Sequence, residues 1–416
     1  MDKIIEPKGN IKGVIEIPSS KSYGQRVLAC ALINKEETII SNLGISDDEQ
    51  AILQLITDFG ANISFEKEKI IVQGNTKVRH SKLELNCNES GLGARMITPI
   101  LSNQNIPITL NAKGSLLNRP MRQFDEILEM LNVKFKSNDG KLPFDIQGPL
   151  VPRSIQIDGS LSSQFVTGMI LGYVASPLLR NEAIEIINPT SIPYIELTLD
   201  VLAQFGVELK MDNNKLQFDG PYTLKQTNIR IESDWSSASF FLVAAAILGD
   251  VTFIGLNIDS KQADKRMLEA IEDFGAEIIF EENSIRIIKK ENNPFEFDAT
   301  HCPDLFPPLA VLASFASGIS RIKGVSRLKH KESDRASSIK EELNKMGGKI
   351  SNVDDVMIIE GIHEAKSARI NPHGDHRIAM ASAIMGLKSD GVTIIENSEV
   401  VKKSFPAFFD FLNKLI

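Results

Sequence analysis

Two kinds of apolar segment alternate along the chain. In the first, apolar residues recur every three or four positions, a small turn residue follows, and two short strand-like runs come next. It is read in ILQLITDFGANISF (52–65), ILEMLNVKFKS (127–137), LDVLAQFGVEL (199–209), MLEAIEDFGAEIIF (267–280) and EELNKMGGKIS (341–351). The turn residues are Gly60, Val133, Gly206, Gly275 and Gly347, so the phrase returns with a period of about 70 residues. Glycine suits such a turn because a helix end favours the left-handed conformation there. FFDFLNKLI (408–416) is a sixth copy that stops after its helix. The second kind of segment starts at a polar cluster and continues as small and apolar residues, near Ser22, Gly91, Ser162, Ser236, Asp304 and Asp375. Being apolar nearly all round, these segments are predicted to be helices buried inside their units.

Six helix-plus-strand copies predict an α/β fold built from α+β repeats. They form two pseudo-symmetric domains of three copies each. Crossovers are expected near Pro18 and around residues 228–233, so one lobe comprises 1–18 with 233–416 and the other 19–232. A substrate cleft is expected between the lobes. The length of 416 residues suits two or three domains, and the 42% of hydrophobic residues suits a globular chain. The longest unbroken apolar run, Phe240 to Leu248, is shorter than the roughly 20 residues of a membrane span. The start, MDKIIEPKGN, lacks the apolar stretch of a secretory signal. Three scattered cysteines, Cys30, Cys87 and Cys302, are too few for a disulfide framework. A cytoplasmic, soluble protein with no membrane partner is expected.

Net charge is −8, and no block of Lys or Arg appears, which argues against a nucleic-acid partner. An acidic shell still permits anionic small substrates, provided that the positive groups are focused in a cleft. The polar clusters supply such groups where free N–H groups and the positive dipole end of a helix lie. PSSKSYGQR carries Lys21, Ser22 and Arg26, and NESGLGARM carries Gly91 and Arg95. LLNRPMRQF carries Arg119 and Arg122, and DGSLSSQF carries Ser162, Ser163 and Gln164. SRLKHKESDR holds Lys331, Glu332 and Arg335, GDHRIAM holds His376 and Arg377, and KKSFP holds Lys403. Lysine meets phosphate as a point charge, and arginine grips phosphate or carboxylate with two hydrogen bonds. Taken singly, each has a plainer reading as a surface charge, a helix cap or a core histidine. Recurrence at equivalent points of a repeat favours a polyanionic ligand.

Two other chemistries carry less. HGDH (373–376) and HCPD (301–304) contain metal-ligating residue types, but neither spacing fits a known site, so no metal is expected. Cys302 as a nucleophile would need a base and a depressed pKa, and a buried apolar role suits it better.

The motifs PSSKSYGQR, DGSLSSQF, SIPY, SDWSSASFFLVAAA, CPD, KHKESDR, GDHRIAMA and KKSFP occur in an order that resembles the 5-enolpyruvylshikimate-3-phosphate synthases, the 3-phosphoshikimate 1-carboxyvinyltransferases. The resemblance runs from about Lys12 to Pro406, and KESDR with DHRxAM carries most of its specificity. It implies two domains of three βαβαββ-type units each, closing like an inverted α/β barrel. It implies transfer of the enolpyruvyl group of phosphoenolpyruvate to the 5-hydroxyl of shikimate 3-phosphate, on the route to chorismate and the aromatic amino acids. No cofactor is implied, and a monomer is expected. By resemblance, Lys21, Ser22, Arg26, Ser162, Ser163, Gln164, Ser191, Tyr194, Asp304 and Lys331 bind shikimate 3-phosphate. Lys21, Gly91, Arg119, Gln164, Arg335, His376, Arg377 and Lys403 bind phosphoenolpyruvate. Asp304, Glu332 and Lys21 are the implied catalytic groups, with Asp304 as proton acceptor and Glu332 as proton donor.

The chain departs from the family pattern in three places. Glu89 and Leu92 stand where the family usually has an amide and a hydroxyl. Arg327 stands where some members have asparagine, and Ser19 where glycine is usual. The sister enzyme that acts on UDP-N-acetylglucosamine shares the repeat but depends on a loop cysteine. The corresponding GSLLNRPMR has none. A non-catalytic anion-binding relative is a third reading, motivated by Glu89 and Leu92 and opposed by Asp304 and Glu332.

Overall fold

A computed structural model of the chain describes residues 1–75 and 81–415. The chain divides into two compact units, Met1–Ser20 with Glu232–Ile416, and Lys21–Ile231. Each unit repeats one arrangement, a buried helix and an outer helix joined to a small mixed sheet.

In the Lys21–Ile231 unit the buried helices are Lys21–Ile33, Gly91–Leu101 and Ser163–Ala175, and the outer ones Asp47–Phe59, Gln123–Met130 and Ile192–Gln204. Its three sheets have four strands each. In each sheet two strands run parallel and two more add antiparallel, as where Leu83–Asn86 pairs parallel with Ile108–Asn111, and Phe144–Gln147 and Lys134–Lys136 follow antiparallel. Thr227–Arg230, at the end of the unit, pairs parallel with Glu37–Ser41 near its start, closing the set. The Gly91–Leu101 and Ser163–Ala175 helices cross at glycine. A Cβ on Gly168 would come within 2.1 Å of the Arg95 carbonyl oxygen, and one on Gly172 within 2.5 Å of Pro99. Only the missing side chains allow this approach.

The Met1–Ser20 and Glu232–Ile416 unit follows the same plan with buried helices Trp235–Leu248, Phe306–Ser314 and His376–Gly386. It is discontinuous because Ile11–Glu16 pairs parallel with Gly249–Ile254. The truncated sixth copy is completed from the other end of the chain. Lys3–Ile5 pairs antiparallel with Thr393–Ile395, taking the strand place that follows no helix of its own. The last helix, Phe408–Asn413, seats on Trp235–Leu248 through ring contacts of Phe240 and Phe241 with Phe408 and of Phe241 with Phe411.

The turn after each of the first five outer helices closes with one pair of backbone bonds. Gly60 and Ala61 donate to Thr57 and Ile56, and Gly206, Gly275 and Gly347 with their successors repeat the pattern. The second copy corrects the sequence reading by one residue. There Asn132, at φ 66°, is left-handed, and Val133 is the successor that donates to Leu128. Asparagine tolerates this conformation where a β-branched valine does not.

No helix among the described residues is long and apolar enough to cross a membrane. The three thiols are buried and unpaired. Burial pushes the Cys87 thiol up to about 12 and raises those of Cys30 and Cys302 further. A thiol so raised is a poor nucleophile, in keeping with the apolar role expected of Cys302.

Candidate active site

In the discontinuous unit the charged residues gather around Arg335, whose side chain is 1% exposed. Asp334 caps the helix that Arg335 begins, and its carboxylate accepts from the Ser337 N–H. The guanidinium reaches three carboxylates. Nε donates to Asp375 Oδ2 at 2.8 Å, Nη1 to Asp304 Oδ1 at 2.7 Å and Nη2 to Glu332 Oε2 at 2.6 Å. Asp304 lies in the short turn Pro303–Leu305 just before a buried helix. It also accepts from Lys331 Nζ at 3.1 Å and from Arg377 Nη2 at 3.3 Å. Asp375 caps the His376–Gly386 helix through the Arg377 N–H at 3.0 Å, so one carboxylate both starts that helix and orients Arg335. His376 is buried beside it, and Lys403 ends the Ser398–Lys403 turn with its side chain nearly buried.

The proton affinities follow from this packing. Burial raises the Asp304 carboxyl, but Arg377, Lys331 and Arg335 outweigh it and hold the group well below the usual carboxylate range. Burial lowers the Lys331 ammonium against the pull of Asp304. For Arg335 the surrounding Asp375, Glu332 and Asp304 overcome burial, and its pKa rises. A fourth carboxylate, Asp264, belongs to the same neighbourhood and escaped the sequence reading. It is 1% exposed, and burial, followed by the negative charge of Asp304, raises its pKa against the opposing Arg377. KQADKR has no periodicity or motif that sets Asp264 apart from a surface acid. Arg327 is within electrostatic reach of Asp304 and Asp355, and burial lowers its pKa.

In the Lys21–Ile231 unit the candidate residues collect in smaller groups. Lys21 Nζ donates to Asp48 Oδ2 at 2.8 Å. Arg26, 1% exposed, donates from Nε to Thr198 Oγ1 at 2.9 Å, from Nη1 to the Ser22 carbonyl at 2.7 Å and from Nη2 to the Tyr194 carbonyl at 3.1 Å. These contacts use three of its five donors, leaving one N–H on each terminal nitrogen. Burial lowers the Arg26 pKa to about 10. Ser22, Arg26 and Tyr194 are therefore brought together, with Thr198 as a partner that the motifs did not reveal.

Ser191, before Tyr194, is held at φ 52°, an uncommon conformation for serine, at the start of the Ile192–Gln204 helix. Ser162 caps the helix begun by Ser163, its hydroxyl accepting from the Gln164 N–H. Arg95 Nη1 donates to Gln164 Oε1 at 2.8 Å, and its guanidinium lies over the Phe165 ring. Arg95 thus fixes Gln164, a positioning contact that follows from the glycine-mediated helix crossing. Arg119 lies against the helix start at Gly91, where a Cβ would come within 2.5 Å of its Nη1. Helix N–H groups beside a guanidinium are donor types that can hold an anion. Leu92 is nearly buried and faces the core.

The histidine motifs resolve differently from their order in sequence. His373 Nε2 lies 2.7 Å from Glu342 Oε1, and Glu341 completes the one acidic–histidine group of metal-ligand compactness among the described residues. Glu342 also accepts from Lys345 at 2.7 Å and from the Asn371 N–H at 3.1 Å, which makes it the anchor of an ion-paired turn.

The sequence profile of EPSP synthase (3-phosphoshikimate 1-carboxyvinyltransferase) matches residues 5–412. A 3-phosphoshikimate 1-carboxyvinyltransferase of Clostridium perfringens (strain ATCC 13124) is 36% identical over 100% of this chain and 98% of that protein. One from Clostridioides difficile (strain 630) is 34% identical over 96% and 94%. Among solved structures, EPSP synthase from Acinetobacter baumannii aligns with a TM-score of 0.84 at 27% identity, over 99% of this chain and 98% of that one. The enolpyruvyl transferase NikO from Streptomyces tendae shares the fold with a TM-score of 0.78 at 16% identity, over 99% and 96%.

Proposed function

Since the chain belongs to the EPSP synthase family, we propose that it transfers the enolpyruvyl group of phosphoenolpyruvate to the 5-hydroxyl of shikimate 3-phosphate. The products are 5-enolpyruvylshikimate 3-phosphate and inorganic phosphate, on the route to chorismate and the aromatic amino acids. The three unpaired thiols suit a reducing, cytoplasmic setting. The carrying observation is the cluster in which Asp304 and Glu332 are held by Arg335, with Lys331 and Arg377 on Asp304. The shikimate 3-phosphate set is Ser22, Arg26, Ser162, Ser163, Ser191, Tyr194 and Lys331, and the phosphoenolpyruvate set is Gly91, Arg119, Arg335, His376, Arg377 and Lys403. Lys21 and Gln164 serve both.

The reaction needs a base at the hydroxyl and an acid at the methylene carbon. Asp304 takes the hydroxyl proton while Glu332 delivers one to the methylene, giving a tetrahedral adduct. Elimination reverses this traffic: Glu332, now a carboxylate, takes a proton back from the new methyl group, and Asp304 returns its proton as the C–O bond to phosphate breaks and phosphate leaves. A carboxylate held below its usual pKa is a weak base, so the resting cluster is not yet tuned for this step. Substrate phosphate and carboxylate groups draw Arg335, Arg377 and Lys331 towards themselves, which lifts the suppression and raises the basicity of Asp304. Lys21 and the arginines stabilise charge as it moves to the departing phosphate. Two polyanions repel each other in water, and the cations offset that repulsion. The test is phosphate release by the purified protein with phosphoenolpyruvate in EDTA, comparing shikimate 3-phosphate with UDP-N-acetylglucosamine. Release with shikimate 3-phosphate alone is expected. Release with the nucleotide sugar alone, or with neither, would sink the reading.

A further inference from the structure

Glu89 sits immediately before the Ser90 cap of the Gly91–Leu101 helix, yet its carboxylate turns to another segment. Oε2 accepts from the Ser115 hydroxyl at 3.0 Å and from the Ser115 N–H at 3.3 Å. Gly114 turns through φ +55°, and a Cβ there would come within 2.1 Å of Glu89 Oε1, so the carboxylate packs directly on glycine backbone. The neighbouring Lys113 N–H donates to the Asn88 carbonyl at 2.8 Å and ties the same two strands of chain. A single turn, Gly114–Asn118, follows, anchored by the fully buried Leu116 and closed by the Arg119 N–H on the Leu116 carbonyl at 3.1 Å. Its end presents Arg119 to Gly91, two residues from where the path began.

From this closed path we infer that Glu89 is a positioning residue for phosphoenolpyruvate binding. It holds the Gly114–Asn118 turn so that Arg119 stays against the helix start at Gly91. The inference rests on the proposed role of Arg119 as a phosphoenolpyruvate clamp. The two Ser115 donors stabilise the carboxylate in this place and tie it to the turn. The Ser115 hydroxyl is therefore the second half of the device. Glutamine at position 89 retains an acceptor oxygen and serves in part; alanine does not.

The test is steady-state phosphate release by Glu89→Ala, Glu89→Gln, Ser115→Ala, the Glu89→Ala/Ser115→Ala double variant and Arg119→Ala. In Glu89→Ala the KM for phosphoenolpyruvate is expected to rise about tenfold, while that for shikimate 3-phosphate stays within about twofold, because a charge-assisted contact on one subsite is lost. Ser115→Ala shifts the same constant in the same direction, the double variant is no worse than Glu89→Ala, and Glu89→Gln lies nearer the wild type. A phosphoenolpyruvate KM that is unchanged or lower in Glu89→Ala, or a parallel rise in both constants, overturns the positioning role. Arg119→Ala separates the two levels. No effect there overturns the clamp assignment and this inference with it, whereas a large effect there beside none in Glu89→Ala overturns the inference alone. Should Glu89→Ala fail to fold, as read from its thermal transition, Ser115→Ala decides, since it removes a single hydroxyl.

Discussion

The two units use the same repeat to build opposite electrostatic environments. Around Arg335 the cations meet carboxylates: Asp304, Glu332 and Asp375 bind one guanidinium, and Asp304 binds two further cations. Around Arg26, among the described residues, the guanidinium donates to neutral oxygens, those of Thr198, Ser22 and Tyr194. A cation among carboxylates adjusts proton affinities. One among neutral acceptors keeps its charge for an incoming anion. One scaffold thus gives its arginines different partners in its two units, carboxylates around Arg335 and neutral oxygens around Arg26.

The strongest way to break this contrast is to remove Arg335. Arg335→Met leaves three carboxylates without their shared cation, and the cost in folding stability is expected to be about 3–5 kcal/mol, read from urea unfolding. A loss below about 1 kcal/mol would mean that the network relaxes around water and that burial does not enforce it. Next, Asp304→Asn should leave shikimate 3-phosphate binding largely intact in a calorimetric titration while turnover falls by about two orders of magnitude or more. Absence of binding would assign Asp304 to anchoring instead.

On the neutral side, Arg26→Ala should weaken shikimate 3-phosphate by about tenfold or more and phosphoenolpyruvate far less, in proportion to a lost charge-assisted contact. Equal weakening of both substrates would show that its internal bonds to Thr198 and Tyr194 dominate. The last effect is at Asp264 and falls on stability rather than on binding. Its raised pKa means that the folded protein holds a proton that the unfolded chain has already released, so stability falls as pH rises from the ordinary carboxylate range through its native pKa. Asp264→Asn should therefore stabilise the protein above that range by about 1–3 kcal/mol, and the gain should vanish near pH 3. Asp304 has the opposite sign. Its depressed pKa stabilises the fold above the ordinary carboxylate pKa, and that contribution is lost as pH falls through the native value. Thermal transitions of wild type and Asp264→Asn from pH 3 to 8 separate the two, since only the high-pH slope changes in the variant.

Much of the fold was legible because it is written locally. Helical spacing, turn residues and short alternating strands recur along one stretch of chain, although the closing strands Thr227–Arg230, Ile11–Glu16 and Lys3–Ile5 come from distant parts of it. The one-residue slip between Val133 and Asn132 arose because both flank the same turn and only backbone dihedrals separate them. The helix starts were legible for the same reason, as Ser90, Ser162, Asp234 and Asp375 cap the helices that follow them.

What tertiary structure alone decided is which side chains meet. Arg335 and Asp375 are 40 residues apart in sequence, and Arg26 and Thr198 are 172 apart. Asp264 shows no sequence mark, since its raised pKa comes from burial and from Asp304. Glu89 reads in the sequence as an acid intruding on an anion subsite, and the folded chain turns it onto Ser115 instead. Local pattern determines where a helix starts and which residues stand there. Proton affinity and orientation depend on desolvation and on charges a few ångströms away, and only the folded chain sets those.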